Sequence, residues 1–266
     1  MSELETLLLD IDDHGIARVT LNRPEARNAM SQELIEELRD VAGKLAKDDA
    51  VRCIVLSGSG EIFCAGGDLK GMAVQAAATR EDRIRDATAL ARLLGELNTL
   101  PKPIIGRING PAFGGGLGLI SICDIAIGLT TSKFCLTEVR LGLLPATISP
   151  YVVARLGTRN ARRVMLNATE MDGTTAVQMG LLDRAVEPEQ LDAAIDQEIA
   201  ALLRCAPSAV AASKRLIQYV STHDVEANVE YTAAALADAW ESPEIQEGID
   251  SFMNKRKPKW FSAYPS

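Results

Sequence analysis

Apolar residues recur along this chain in two periods, and the mixture changes as the chain proceeds. Residues 5–11 and 16–21 predict two short strands around the turn Asp12-Asp13-His14-Gly15. A polar loop occupies residues 22–30. Leu34, Ile35, Leu38, Val41 and Leu45 then fall on one stripe of a helix that Ser31 caps and that runs through residue 47. Residues 51–57 predict a buried strand. Residues 72–82 are small and polar without a period and predict a mobile flap. Leu90, Leu93, Leu94 and Leu97 mark a helix over roughly 82–98, and Pro101 and Pro103 punctuate the way out of it.

Residues 104–138 read IIGRINGPAFGGGLGLISICDIAIGLTTSKFCLTE: a strand, a glycine turn, an apolar helix, a second strand and one carboxylate. The turn LGLLP follows, then helical patterning through about residue 179, and residues 181–186 predict a final strand. From 188 to about 255 the pattern is helical, broken near Pro207, Thr222-His223 and Pro243. Strands and helices alternate first and helices alone come after. This predicts an α/β core over residues 1–190 followed by a helical region over 191–266.

Composition narrows the classes of function. A chain of 266 residues with 47% hydrophobic and 24% charged residues is an ordinary globular chain of one large domain, or a domain with an appendage. Its net charge of −8 argues against a broad face for nucleic acid or anionic membrane. The acidic start MSELETLLLDIDD has too short an apolar run for a signal peptide or a membrane span. Five cysteines without paired spacing suggest reduced thiols in a cytoplasmic setting, with Cys64 a packing residue or a reactive thiol beside a glycine loop. Neither CxxC nor HExxH occurs, so no metal site is suggested. The two histidines, His14 and His223, come with no GxSxG, which removes a serine-hydrolase triad. Leu119 stands where a dinucleotide fingerprint would need its third glycine.

Two glycine loops and a glutamate remain. Gly114, Gly115 and Gly116 follow the run 104–108, and Cys64-Ala65-Gly66-Gly67-Asp68 follows the strand 51–57. Each loop is either a tight packing corner or a place where backbone N–H groups face a ligand; together they can supply two donors to one oxygen, an oxyanion hole. Glu138 lies just past the apolar residues 134–136. Partial burial would favour its neutral form and suit it to proton transfer, while pairing with Arg140 or capping a helix are its structural alternatives.

CAGGDLKGM, NGPAFGGGLGL, CDIAI and TEVRLGLLP, in this order and spacing, resemble the crotonase (enoyl-CoA hydratase/isomerase) superfamily. The likeness runs from LNRPEARNAM to FMNKRKPKW. It implies a crotonase-like ββα spiral core and a C-terminal helical region that builds a homotrimer or homohexamer. It implies an acyl-CoA thioester as substrate, with coenzyme A entering only as part of that substrate and no tightly bound cofactor. By this resemblance the amides of Gly67 and Gly115 grip the thioester oxygen and Glu138 is the acid/base. Arg27, Ala29, Ala65, Asp68, Leu69 and Lys70 lie along the coenzyme A, and Met72, Gly118 and Gly142 join Gly67, Gly115 and Glu138 around the acyl group. The basic ending Lys255-Arg256-Lys257-Pro258-Lys259 either reaches coenzyme A phosphates or is solvated. Met72, Val74, Gln75, Ile148 and Val152 are expected to set acyl length.

One departure matters. Hydratases of this superfamily carry a first glutamate at the position of Gly118. Two catalytic readings follow. Either Glu138 alone activates water, helped by a substrate carboxylate or an ordered water over Gly118, or it shuttles a proton between C2 and C4 as a 3,2-enoyl-CoA isomerase. A non-catalytic acyl-CoA-binding protein is the third reading. The segment FCLTEVRLGLLPATISPYVVARLG further resembles bacterial 3-methylglutaconyl-CoA and related glutaconyl-type hydratases, which favours the hydratase; Arg140 is the nearest cation for a second substrate carboxylate.

Overall fold

The computed structural model describes residues 4–264. The strands are β1 (Leu7–Ile11), β2 (Ile16–Leu21), β3 (Cys53–Gly58), β4 (Ile104–Ile108), β5 (Ala112–Phe113), β6 (Ile125–Leu129), β7 (Lys133–Cys135), β8 (Met171–Asp172) and β9 (Arg184–Val186). A main sheet has the order β1-β2-β3-β4-β6-β9, antiparallel at its first pair and parallel after it. The rest, β5-β7-β8, form a small second sheet. Each pass through the main sheet returns by a helix, as parallel pairing requires.

Alternation along the parallel strands divides the core in two. Ile54, Leu56, Ile104, Ile108 and Ala126 face one way, against α1 (Gln32–Lys47), with α2 (Leu69–Ala77) and then α3 (Arg80–Asn98) following in the chain. Leu34, Ile35, Leu38, Val41 and Leu45 are the buried stripe of α1, and Leu93, Leu94 and Leu97 that of α3. α4 (Gly115–Ser121) and α5 (Ser149–Asn167) pack in the same layer, followed by α6 (Gly173–Gln178). Cys53, Val55, Ile105 and Ile127 face the other way, where α7 (Leu191–Leu202) covers them with Leu191, Ala194, Ile195 and Ile199. Period two on the strands therefore delivers two apolar faces, each with its own helical cover.

Two segments differ from their sequence patterns. Residues 72–77 are helical, not an irregular flap, because the Asp68 carboxylate accepts the N–H groups of Lys70 and Gly71 and starts a turn that the alanines extend. The helical patterning that ends near residue 179 is broken by Ala168, at φ 51°, and by β8, which completes the small sheet through Met171 opposite Phe134.

Three further helices end the chain: α8 (Pro207–Val220), α9 (Val225–Glu241) and α10 (Pro243–Met253). Pro207 and Pro243 open two of them, where a missing N–H costs nothing. Arg52 anchors this region by donating to the carbonyls of Cys205 and Trp260, at 3.0 and 2.8 Å. The basic ending is partly answered within the chain: Arg256 pairs with Glu247 at 2.6 Å, and Lys257 sits 4.2 Å from the ring centre of Phe261.

The loop between β2 and α1 is held from inside by Asn28, which is fully buried at φ 54°. Its Nδ2 donates to the carbonyls of Ser59 and Ile62 at 2.8 and 2.7 Å, and its Oδ1 accepts the N–H of Arg23 at 2.9 Å. Asparagine tolerates the left-handed backbone, and its amide fills a space that no apolar residue satisfies. Asn28→Ala strands two partly buried carbonyls and one N–H, and urea denaturation is expected to show a loss of about 1–3 kcal/mol; a loss below about 0.5 kcal/mol would show that the loop stands without this clamp.

Candidate active site

The second glycine loop is zipped on both sides. On one side, the Ala65 N–H donates to the Arg27 carbonyl (3.0 Å), Met30 N–H to Gly66 (2.7 Å) and Asp68 N–H to Met30 (3.3 Å). On the other, Phe113 N–H donates to the Cys64 carbonyl (2.9 Å), and Gly114 N–H to Cys135 (2.9 Å). Segments 27–30, 64–67, 112–114 and 135 therefore lie side by side.

This pairing ends with two amides unspent. Successive N–H groups of an extended segment point to opposite sides. Asp68 points toward Met30, so Gly67 points away from it, to where the 112–114 segment turns off into α4. Gly115 is the first residue of α4, whose opening N–H has no partner within the helix. Among the described residues, neither the Gly67 nor the Gly115 N–H meets an acceptor. The loops touch: a Cβ on Gly66 would stand 3.4 Å from the Gly115 nitrogen. Gly114, at φ 49° and ψ −120°, makes the turn between strand and helix in a backbone region closed to residues with a Cβ.

Glu138 begins a 3-10 turn (Glu138–Leu141) just past β7. A Cβ on Gly114 would lie 3.1 Å from its Oε1 and 3.9 Å from its Oε2, so the carboxyl group rests on the bare backbone of the glycine turn. Its Oε2 is buried without a hydrogen-bond partner among the described residues. Burial pushes the pKa of Glu138 up, opposed by its own backbone N–H. Arg140 does not pair with it. That guanidinium donates through Nη2 to the Ala168 carbonyl at 2.7 Å.

A cavity of about 920 Å³ opens beside Gly67, bounded by the loop into α1, α2 and α3. Met30 and Ile35 give it an apolar wall, and Lys70 and Arg83 give it cations. Met72 also lines it, with its Cε 2.9 Å from where a Cβ of Gly67 would be, and the Met30 methyl covers Gly115 in the same way.

The expected site residues sort by position. Gly67, Asp68, Lys70 and Met72 border the cavity; Gly115 and Glu138 lie outside its lining, gathered around Gly114, with Met30 between Gly115 and the cavity. The Asp68 carboxylate is occupied, capping α2 and pairing with Arg23 at 3.0 Å. Burial acts to raise its pKa, but Arg23 and the two backbone N–H groups outweigh it and hold it below the usual range. Ala29 and Ala65 serve through their backbones: the Ala29 carbonyl takes the Arg23 guanidinium at 2.6 Å. Arg27 is exposed and outside the cavity lining, and the side chain of Leu69 lies outside the described residues.

Gly118 and Gly142 do not reach the cavity. Gly142, at φ 72°, closes the Glu138–Leu141 turn on the surface. Gly118 is buried, and the space over it is filled by Ile148, whose Cβ lies 3.0 Å from where a Cβ of Gly118 would stand. Cys64 is fully buried, and burial pushes its thiol up to about 12, which makes it a packing residue.

Sequence reasoning missed Arg23, Met30 and the organising role of Asn28. Asn28 carried a signal, since asparagine in a polar loop favours φ > 0; Arg23 and Met30 act through distant backbone partners and carried none.

The family described as enoyl-CoA hydratase/isomerase matches residues 12–263. The chain is 37% identical over 247 residues to the enoyl-CoA hydratase ACTT6 of Alternaria alternata, spanning 90% of this chain and 78% of that one. Its fold superposes on an enoyl-CoA hydratase from Shewanella pealeana with a TM-score of 0.93 at 37% identity, covering 97% of both chains. Pseudomonas aeruginosa AtuE gives a TM-score of 0.93 at 39% identity, over 97% of this chain and 100% of that one. With its two unspent glycine amides and its buried carboxylate set in this fold, the chain belongs to the enoyl-CoA hydratase/isomerase family.

Proposed function

We propose that this chain is an enoyl-CoA hydratase that adds water across the 2,3 double bond of an acyl-CoA with Glu138 as its single acid/base. The observation that carries the reading is the juxtaposition, among the described residues, of two N–H groups without acceptors, on Gly67 and Gly115, with a carboxylate over Gly114 whose Oε2 is buried and unpartnered. The thioester oxygen accepts from both amides and gains negative charge as the nucleophile adds at C3; donors aimed in advance at that charge are worth a few kcal/mol each. The Glu138 carboxylate takes a proton from water as its oxygen bonds to C3, then returns a proton to C2. The hydroxyl and both hydrogens balance, with no change of redox state.

The coenzyme A moiety lies in the 920 Å³ cavity, with Lys70 at its rim toward the phosphates. A branched or glutaconyl-type acyl group is the substrate class favoured by the likeness of residues 134–157, and the protein works in the cytoplasm. The isomerase is the second reading. One observation favours it: Ile148 seals the face over Gly118 and leaves one carboxylate, which is all a C2–C4 proton shuttle needs.

Assembly is part of the reading. Val225, Val229, Leu236 and Trp240 form an exposed stripe along α9, and Phe252 on α10 is 85% exposed. Stripes of this kind are covered in the functional state, here by neighbouring copies in a homotrimer or homohexamer.

Glu138→Gln is expected to lower turnover by about 10²–10⁴-fold while acyl-CoA binding, read by calorimetry, persists; normal turnover would remove Glu138 from the mechanism. The same raised pKa sets two pH dependences. The wild-type rate falls on acidification through an ionisation above the ordinary glutamate value of about 4.3, where Glu138 loses its basic form. Because the folded pKa lies above the unfolded one, ionising Glu138 costs stability, in full once pH exceeds the folded value. Glu138→Gln therefore melts higher than wild type at neutral pH, and that gain disappears below the ordinary glutamate range.

Gly115→Pro removes one oxyanion donor at a first helical position, where proline is accepted. A drop of about 10²–10³ in kcat is expected, with some loss of melting temperature because a Cβ at 115 displaces the Met30 methyl, and full activity would take the Gly115 amide out of the site. Trp240→Glu should shift the sedimentation profile to smaller species; an unchanged profile would move the interface away from α9.

A further inference from the structure

Gly114 and Gly118 lie four residues apart, and another element stands where each would carry a side chain. Over Gly114 that element is the Glu138 carboxylate. Over Gly118 it is Ile148: a Cβ there would fall inside van der Waals contact of Ile148 Cγ2, 3.0 Å from Ile148 Cβ and 3.6 Å from Leu94 Cδ1. Ile148 is the N-cap of α5, buried, and its carbonyl accepts the N–H groups of Tyr151 and Val152 at 3.1 and 3.0 Å. It is branched at Cβ and held at its backbone, so it has little freedom to swing aside. Its neighbour Thr147 borders the substrate cavity.

We infer that Ile148 is the specificity-determining residue that confines this site to one carboxylate. This rests on the reading of Glu138 as the acid/base. The isoleucine takes the volume that any side chain at 118 would need and presents an alkyl surface there. Glycine at 118 and isoleucine at 148 are then one unit: the first leaves a hollow in α4, and the second fills it and keeps water out. Water activation and proton return are left to Glu138, which stands over Gly114 one helical turn earlier. The missing acid is thus replaced by a built apolar wall, and restoring a glutamate at 118 alone does not restore a second acid.

The test is a double-mutant cycle of Gly118→Ala and Ile148→Ala, read by thermal melting, together with Gly118→Glu/Ile148→Ala, read by the pH profile of kcat/KM. With Ile148 present, Gly118→Ala is expected to lower Tm by roughly 5 °C; in the Ile148→Ala background that further loss vanishes. The alanine cycle reads the shared volume whether or not the glutamate variant folds. In Gly118→Glu/Ile148→Ala the pH profile gains a second ionisation that Ile148→Ala alone lacks, which a role limited to packing would not produce. Additive melting effects would overturn the inference, and so would identical pH profiles for those two variants. Failure of the underlying reading looks different: Glu138→Gln would turn over normally while the melting cycle stayed coupled.

Discussion

Everything in this site depends on where backbone hydrogen bonding stops. Four segments from distant parts of the chain pair side by side, and this pairing satisfies the loops that carry the chemistry. Among the described residues it leaves without an acceptor the N–H of Gly67, where the partner strand turns away, and that of Gly115, where a helix begins, in loops that touch at Gly66. Both residues are half-buried, and an N–H without a protein acceptor is free to serve an acceptor that a ligand brings. An acyl oxygen that gains charge during reaction is such an acceptor. The glycines are needed because the loops approach within van der Waals contact, and because the turn at Gly114 excludes a Cβ.

The carboxylate follows the same logic. Glu138 is held against bare backbone, with no cation and no donor on its buried oxygen among the described residues, and so its charged form is disfavoured. The same desolvation that weakens the fold brings its proton affinity toward the range a general base requires. Asp68 is the contrast within the same site. It is also partly buried, yet Arg23 and two backbone amides hold it charged, and it does structural work at the head of α2. Environment, not residue type, assigns the two acids their roles.

Much of this was legible in the sequence. The stripe of α1, the capping by Ser31, the strand runs and the proline starts of α8 and α10 are local matters of period and backbone chemistry, and the chain states them directly. The two glycine loops and Glu138 were readable as candidates because few residue types can do their work. Their convergence was not, since it depends on backbone pairings between residues about 20 to 50 positions apart. The misread segment 72–82 shows a different limit: its alanines have no apolar period, and a single cap at Asp68 decides that they are helical. Gly118 reads in sequence as an absence. Only the packing shows Ile148 filling it, because the two residues are thirty positions apart and neither has a distinctive chemistry.

The measurement that bears most directly on the central claim is mass-resolved turnover in deuterated water with straight-chain 2-enoyl-, 3-enoyl- and 3-methylglutaconyl-CoA. A site with two oxyanion donors and one basic glutamate should convert a 2-enoyl thioester into a product heavier by one water, with deuterium at C2. A double bond that moves between C3 and C2 with no gain of water would contradict the hydratase in favour of the proton shuttle. Tight binding of all three thioesters with no product would contradict catalysis at Glu138 altogether.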